Sequence, residues 1–105
     1  MMEKKVKKLE SLQELRGKLD VIDQQIVKLF EERMTICEKV ADLKAVTGKA
    51  VFDPVREEAK LEDVASMVST EFNKAAIREV FQLLMSISRE RQQEKIAVYK
   101  EEEGK

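Results

Sequence analysis

Residues 5–46 read KVKKLESLQELRGKLDVIDQQIVKLFEERMTICEKVADLKAV, and apolar side chains recur along them at three-and-four spacing, with no proline and one internal glycine, Gly17. The pattern predicts one long helix. Written as heptads, Leu12, Leu19, Ile26 and Val40 fall on one seam position and Leu15, Ile22, Leu29, Ile36 and Leu43 on the other. Arg33 is the exception. It stands where the repeat asks for an aliphatic residue, so either a guanidinium is buried there at a desolvation cost of roughly several kcal/mol or an anion meets it. At ~1.5 Å per residue a helix of about 42 residues is a rod of about 60 Å, longer than a compact domain of this size. The rest of the chain covers only part of such a seam, so the pattern implies an intertwined homodimer.

The 105 residues are 43% hydrophobic and 39% charged, with three glycines, one proline and no run of β-branched residues bounded by turn signals. That composition predicts a single all-α domain over residues 1–105. The formal net charge is −1, with 20 basic and 21 acidic residues interleaved, so no global field recruits nucleic acid or an anionic membrane. Any anion site must be local. The basic stretch at residues 1–8 has no apolar core behind it, and no apolar run approaches the ~18 residues of a membrane span, so a cytoplasmic protein without a signal peptide is expected. Cys37 stands alone, beside Ile36, and reads as a small buried hydrophobe. Histidine is absent. With it go the commonest general base, any zinc pattern and the Cys/His and Ser/His/Asp pairings, so neither a metal nor a cofactor is expected and any chemistry must need little proton transfer.

In chain order, residues 1–8 form a charged lead-in expected to be frayed. The long helix stops at Thr47-Gly48-Lys49, where Gly48 suits a left-handed C′ position. A short extended crossing over residues 50–52 leads to Asp53-Pro54, an N-cap followed by proline at the first helical position. A second helix starts there, with Val55, Leu61, Val64, Ala65 and Val68 inward, and is expected to end near Ser69 or Thr70. A third is expected from about Lys74 to Val98, with Ile77, Val80, Phe81, Leu84, Met85 and Ile87 or Ser88 inward. Residues 99–105 read as a disordered tail or the start of a linker. The architecture is one very long, one short and one medium helix, paired into a bundle.

Several polar residues fall in apolar places. Arg33 and Lys44 are eleven apart, close to three turns, so they share a face about 16 Å apart along the axis, a span from which two flexible cations can close on a small dianion. Lys44 also suits the C-terminal end of a helix dipole. Arg16 lies about 25 Å before Arg33, so it reaches the same small ligand only from a partner chain and is otherwise a surface residue near the helix start. Asp53 is explained as an N-cap, while Arg56 and Glu57 do not form a capping box and pair as surface ions in the simplest reading. Ser88 and Gln92, four apart, continue the inward stripe of the third helix and need hydrogen-bond partners there.

These residues resemble the all-helical chorismate mutase family, in domains that stand alone or form part of bifunctional aromatic-biosynthesis enzymes. The likeness covers residues 9–95 and is carried by Leu-Arg-Gly-Lys-Leu-Asp-Val-Ile-Asp (15–23), Leu-Phe-Glu-Glu-Arg (29–33), Val-Ala-Asp-Leu-Lys (40–44), Val-Phe-Asp-Pro-Val-Arg-Glu-Glu (51–58) and Ser88 with Gln92. The resemblance implies three helices per chain in an intertwined homodimer that rearranges chorismate to prephenate. It also implies roles. Arg16 from the partner chain, Arg33 and Lys44 would bind the substrate's anionic groups, with Arg56 supporting a carboxylate. Asp53 and Glu57 would meet the ring hydroxyl, Ser88 would lie near a carboxylate, and Gln92 would join Lys44 at the ether oxygen. Gly17 departs from the better helix former expected beside Arg16, and the connection between the second and third helices looks short. An isochorismate pyruvate-lyase of the same fold and a non-catalytic helical dimerisation module are the alternatives.

Overall fold

The computed structural model describes residues 9–104, and in it three helices follow one another: α1 (Leu12–Thr47), α2 (Pro54–Ser66) and α3 (Glu71–Glu103). The expected lead-in over residues 1–8 lies outside the described residues. No strand occurs among those described, and no helix is long and apolar enough to cross a membrane. The chain divides into two units, with the division inside α1 between Arg33 and Met34.

The first unit contains the start of α1, which carries a side-chain cap. The Glu14 backbone N–H donates to Ser11 Oγ at 3.0 Å, while the Ser11 N–H donates to Glu14 Oε1 at 2.9 Å. This reciprocal capping box satisfies two N–H groups and fixes the helix start at Leu12. The signature Ser-Leu-Gln-Glu was present in the sequence at 11–14. Beyond it Leu15, Leu19, Ile22, Ile26 and Leu29 are 43–62% exposed.

In the second unit the end of α1 terminates as the sequence required. Gly48 takes φ 77°, a left-handed conformation, and its N–H donates to the Lys44 carbonyl at 2.8 Å. Asp53 caps α2 by accepting from the Arg56 N–H at 3.1 Å, and Pro54 occupies the first turn. α2 ends at Ser66, earlier than expected, because the Met67 N–H closes on the Val64 carbonyl. α3 correspondingly begins earlier, at Glu71 rather than near Lys74. Thr70 is its N-cap and accepts from the Asn73 N–H at 3.0 Å. The helix also runs on past Val98, so residues 99–103 are helical rather than a disordered tail.

Cross-helix pairs give the directions within this unit. Glu57 pairs with Arg89 and Glu62 with Arg78, so α2 and α3 are antiparallel. Cys37 meets Ser88, Glu38 meets Arg91 and Asp42 meets Lys95, so the end of α1 and α3 run in the same direction. Among the described residues the buried apolar ones are Ala41, Leu61, Val64, Ala65 and Met85. Each larger one contributes about 1.5–3 kcal/mol by leaving water. Val55 and Val80, expected inward, are 80% and 51% exposed in the single chain.

Candidate active site

Ser88 and Gln92 are the two buried polar residues among those described, and neither leaves a fully buried side-chain polar atom without a hydrogen-bond partner. One α-helical turn separates them, so they stack on the face of α3 that meets the end of α1. Ser88 Oγ lies 3.1 Å from Cys37 Sγ, so Cys37, expected as a buried hydrophobe, is half-buried with a polar neighbour. Gln92 Oε1 accepts from Lys44 Nζ at 3.2 Å. The same ammonium donates to the Val51 carbonyl at 3.0 Å, which ties the α1–α2 connection, bent at Val51 rather than extended as expected, to α1.

The chemistry of these groups fixes their orientation. An ammonium only donates, so the Gln92 amide must turn its oxygen toward Lys44 and its NH2 elsewhere. Lys44 has three N–H groups and two protein acceptors, which leaves one donor. The pair therefore offers a charged N–H and an amide N–H from adjacent atoms of a half-buried site.

Across α3, Glu57 is half-buried and forms an ion pair and hydrogen bond with Arg89. The Arg89 guanidinium carbon also sits 4.9 Å above the Phe52 ring centroid, a cation–π contact. Glu57 therefore pairs across the helix interface, rather than with Arg56 as a local surface pair. Arg56 is exposed. Asp53 is exposed and uses Oδ1 in the cap. A cleft of about 320 Å3 opens here, lined among others by Phe52, Glu57, Met85 and Arg89. At the outer edge of the α1–α3 contact, Arg91 is held more firmly protonated by its 2.8 Å hydrogen bond to Glu38.

Six of the eight residues singled out from the sequence thus belong to the second unit: Lys44 and Gln92 in direct contact, with Asp53, Arg56, Glu57 and Ser88 on the elements around them. Arg16, exposed, and Arg33, half-buried, belong to the first unit. Arg89, Phe52 and the Val51 carbonyl escaped the sequence reading. A backbone carbonyl has no sequence signal, and Arg89 differs from a surface arginine only once α2 and α3 are set in antiparallel register. Among the described residues no group of histidine, cysteine, aspartate or glutamate side chains could hold a metal ion.

Residues 15–93 match the sequence profile of the family described as chorismate mutase type II. The chain belongs to the chorismate mutase type II family. The match covers α2, most of α1 and α3 up to Gln93, and so contains all eight of the residues discussed. Among characterised relatives, a chorismate mutase of Methanocaldococcus jannaschii is 43% identical over 49 residues, which are 47% of this chain and 50% of that protein. The T-protein of Haemophilus influenzae is 32% identical over 54 residues, 51% of this chain and 14% of that one. The chain thus spans half the length of the first relative and a small part of the second. The all-helical architecture expected from the likeness to chorismate mutases is the one observed.

Proposed function

We propose that this protein is a chorismate mutase that rearranges chorismate to prephenate as a homodimer. The observation that carries the proposal is the Lys44 ammonium held between Gln92 Oε1 and the Val51 carbonyl, in a chain of this family that has no histidine. The rearrangement is pericyclic. One C–O bond breaks and one C–C bond forms within the same molecule, and no proton enters or leaves, so neither a base nor a nucleophile is needed. Catalysis then reduces to holding a dicarboxylate in a compact chair and stabilising the charge that grows on the ether oxygen. The remaining Lys44 N–H and the Gln92 NH2 suit that oxygen, and their bonds strengthen as charge develops, which raises the rate of the chemical step. A millionfold acceleration requires about 8 kcal/mol, within reach of two such donors with fixed substrate geometry.

The remaining assignments follow the family likeness. Arg33 and Arg16 of the partner chain would take the substrate's anionic groups, Arg56 would support a carboxylate and Ser88 would lie near one. Asp53 and Glu57 would accept from the ring hydroxyl. Homodimerisation is supported by the seam residues Leu15, Leu19, Ile22, Ile26, Leu29, Ile36 and Leu43, which are 43–65% exposed in the single chain. The small core of the second unit supports it as well, since ordering about 70 residues costs roughly 1–2 kcal/mol each in backbone entropy alone.

The test is to supply purified protein with chorismate and, separately, with isochorismate. Prephenate from the first supports the proposal. Pyruvate from the second with no prephenate from the first would replace it with the lyase reading, and no turnover of either by folded protein would leave a helical dimerisation module.

A further inference from the structure

We infer that Arg89 is a positioning residue for the reaction, acting through Glu57; the inference rests on the mutase reading above. Glu57 is on the first turns of α2 and Arg89 is 32 positions later, on α3, between Ser88 and Gln92. Their side chains are 21% and 29% exposed. That partial desolvation sets the pair apart from surface ion pairs, which water screens to little effect. Phe52 holds the other side of the guanidinium, at 4.9 Å from its ring centroid. Arg89 therefore links three segments: the crossing before α2, the first turns of α2, and the face of α3 that carries Gln92.

The consequence falls on Glu57. A carboxylate on a flexible side chain is a poor positioning group unless something fixes its torsions. Arg89 engages Oε1. The other oxygen, Oε2, retains its acceptor capacity for a substrate hydroxyl. Arg89 itself is not required to touch the substrate. Its guanidinium holds the carboxylate in one rotamer, and the Phe52 ring fixes the guanidinium in turn.

The experiment compares wild type, Arg89→Met, Arg89→Lys, Glu57→Gln and the double variant Glu57→Gln/Arg89→Met, each with chorismate and each with a thermal melt. Methionine keeps an apolar stem over Phe52 and removes the charge, so folding is retained. Arg89→Met should lower kcat/KM by about ten- to a hundredfold, the scale of a misplaced positioning group. Arg89→Lys should recover most of that loss, because a cation still reaches Glu57. In the double variant kcat/KM should equal that of Glu57→Gln alone, since the residue through which Arg89 acts is already neutral. Losses that multiply in the double variant, or that follow the melting temperature across the set, would overturn the inference. Wild-type protein that forms no prephenate would overturn the mutase reading, and the inference with it.

Discussion

Replacing Gln92 with leucine separates catalysis from stability at this site. Gln92 is 7% exposed and its one hydrogen bond accepts from Lys44 at 3.2 Å. Leucine fills much the same volume and leaves no orphaned group on α3. What loses its partner is one further N–H of Lys44, which is half-buried and keeps the Val51 carbonyl as an acceptor. The lost bond is charge-assisted and worth about 1.5–3 kcal/mol. Water reaching the partly exposed ammonium and the extra apolar burial offset most of it, at about 1–2 kcal/mol for the side chain. The net change in stability should therefore be within about 1 kcal/mol, a shift in melting temperature of no more than about 8 °C. Activity should respond differently. On the proposed assignment one of two donors to the ether oxygen is gone, and such a loss costs about 2.7–4 kcal/mol in the transition state, a fall in kcat of about a hundred- to a thousandfold. The assay is the initial rate of chorismate loss at saturating substrate, with circular dichroism melts on the same samples. A kcat within tenfold of wild type, or one that falls only in step with the melting temperature, would refute the assignment of Gln92 to the reacting oxygen.

If the proposed dimer shares its sites, Arg16→Ala and Lys44→Ala, each inactive alone, should regain about a quarter of wild-type activity when refolded together, because one of the two sites in each heterodimer would be free of both lesions. Proven heterodimers without recovery would place Arg16 in its own chain's service. Gly17→Ala should raise the melting temperature by about 4–8 °C, since glycine inside a helix costs about 1 kcal/mol and a Cβ added there meets nothing within 4 Å; a lower melting temperature would reveal a close approach by a second chain. The Glu14 carboxyl is held below its ordinary value, chiefly by the Ser11 backbone N–H and then by the Ser11 hydroxyl. Its folded value lies below its unfolded one, so its contribution is complete above about pH 4.3 and is lost as pH falls through the folded value. Glu14→Gln should therefore flatten the acid side of the stability–pH curve, and superimposable acid limbs for the two proteins would contradict the capping role.

The features legible in the sequence are those written at short range. The apolar spacing gave a long helix, Asp53-Pro54 gave the start of α2 and Gly48 the end of α1. These depend on groups three or four residues apart, so any reading of neighbours recovers them. The ends of α2 and α3 were less legible because Thr70, read as part of a polar connection, caps α3, and because a charged segment such as 99–103 continues as a helix once a preceding turn exists to extend. Ser88 and Gln92 were visible as polar residues on an inward stripe, and the family likeness joined Gln92 to Lys44, but Cys37 as the neighbour of Ser88 was not visible.

By itself the sequence determined that this protein is all-helical, that these residues hold no histidine, and that Arg33, Ser88 and Gln92 stand on otherwise apolar stripes. Tertiary structure alone decided that Lys44 spans Val51 and Gln92 and that Glu57 turns to Arg89 rather than to Arg56. The physical reason is separation along the chain. Helix propensity and capping act between residues a turn apart, whereas Lys44 and Gln92 are 48 positions apart and Glu57 and Arg89 are 32, and such pairs meet only after apolar burial has fixed the register of one helix against the next.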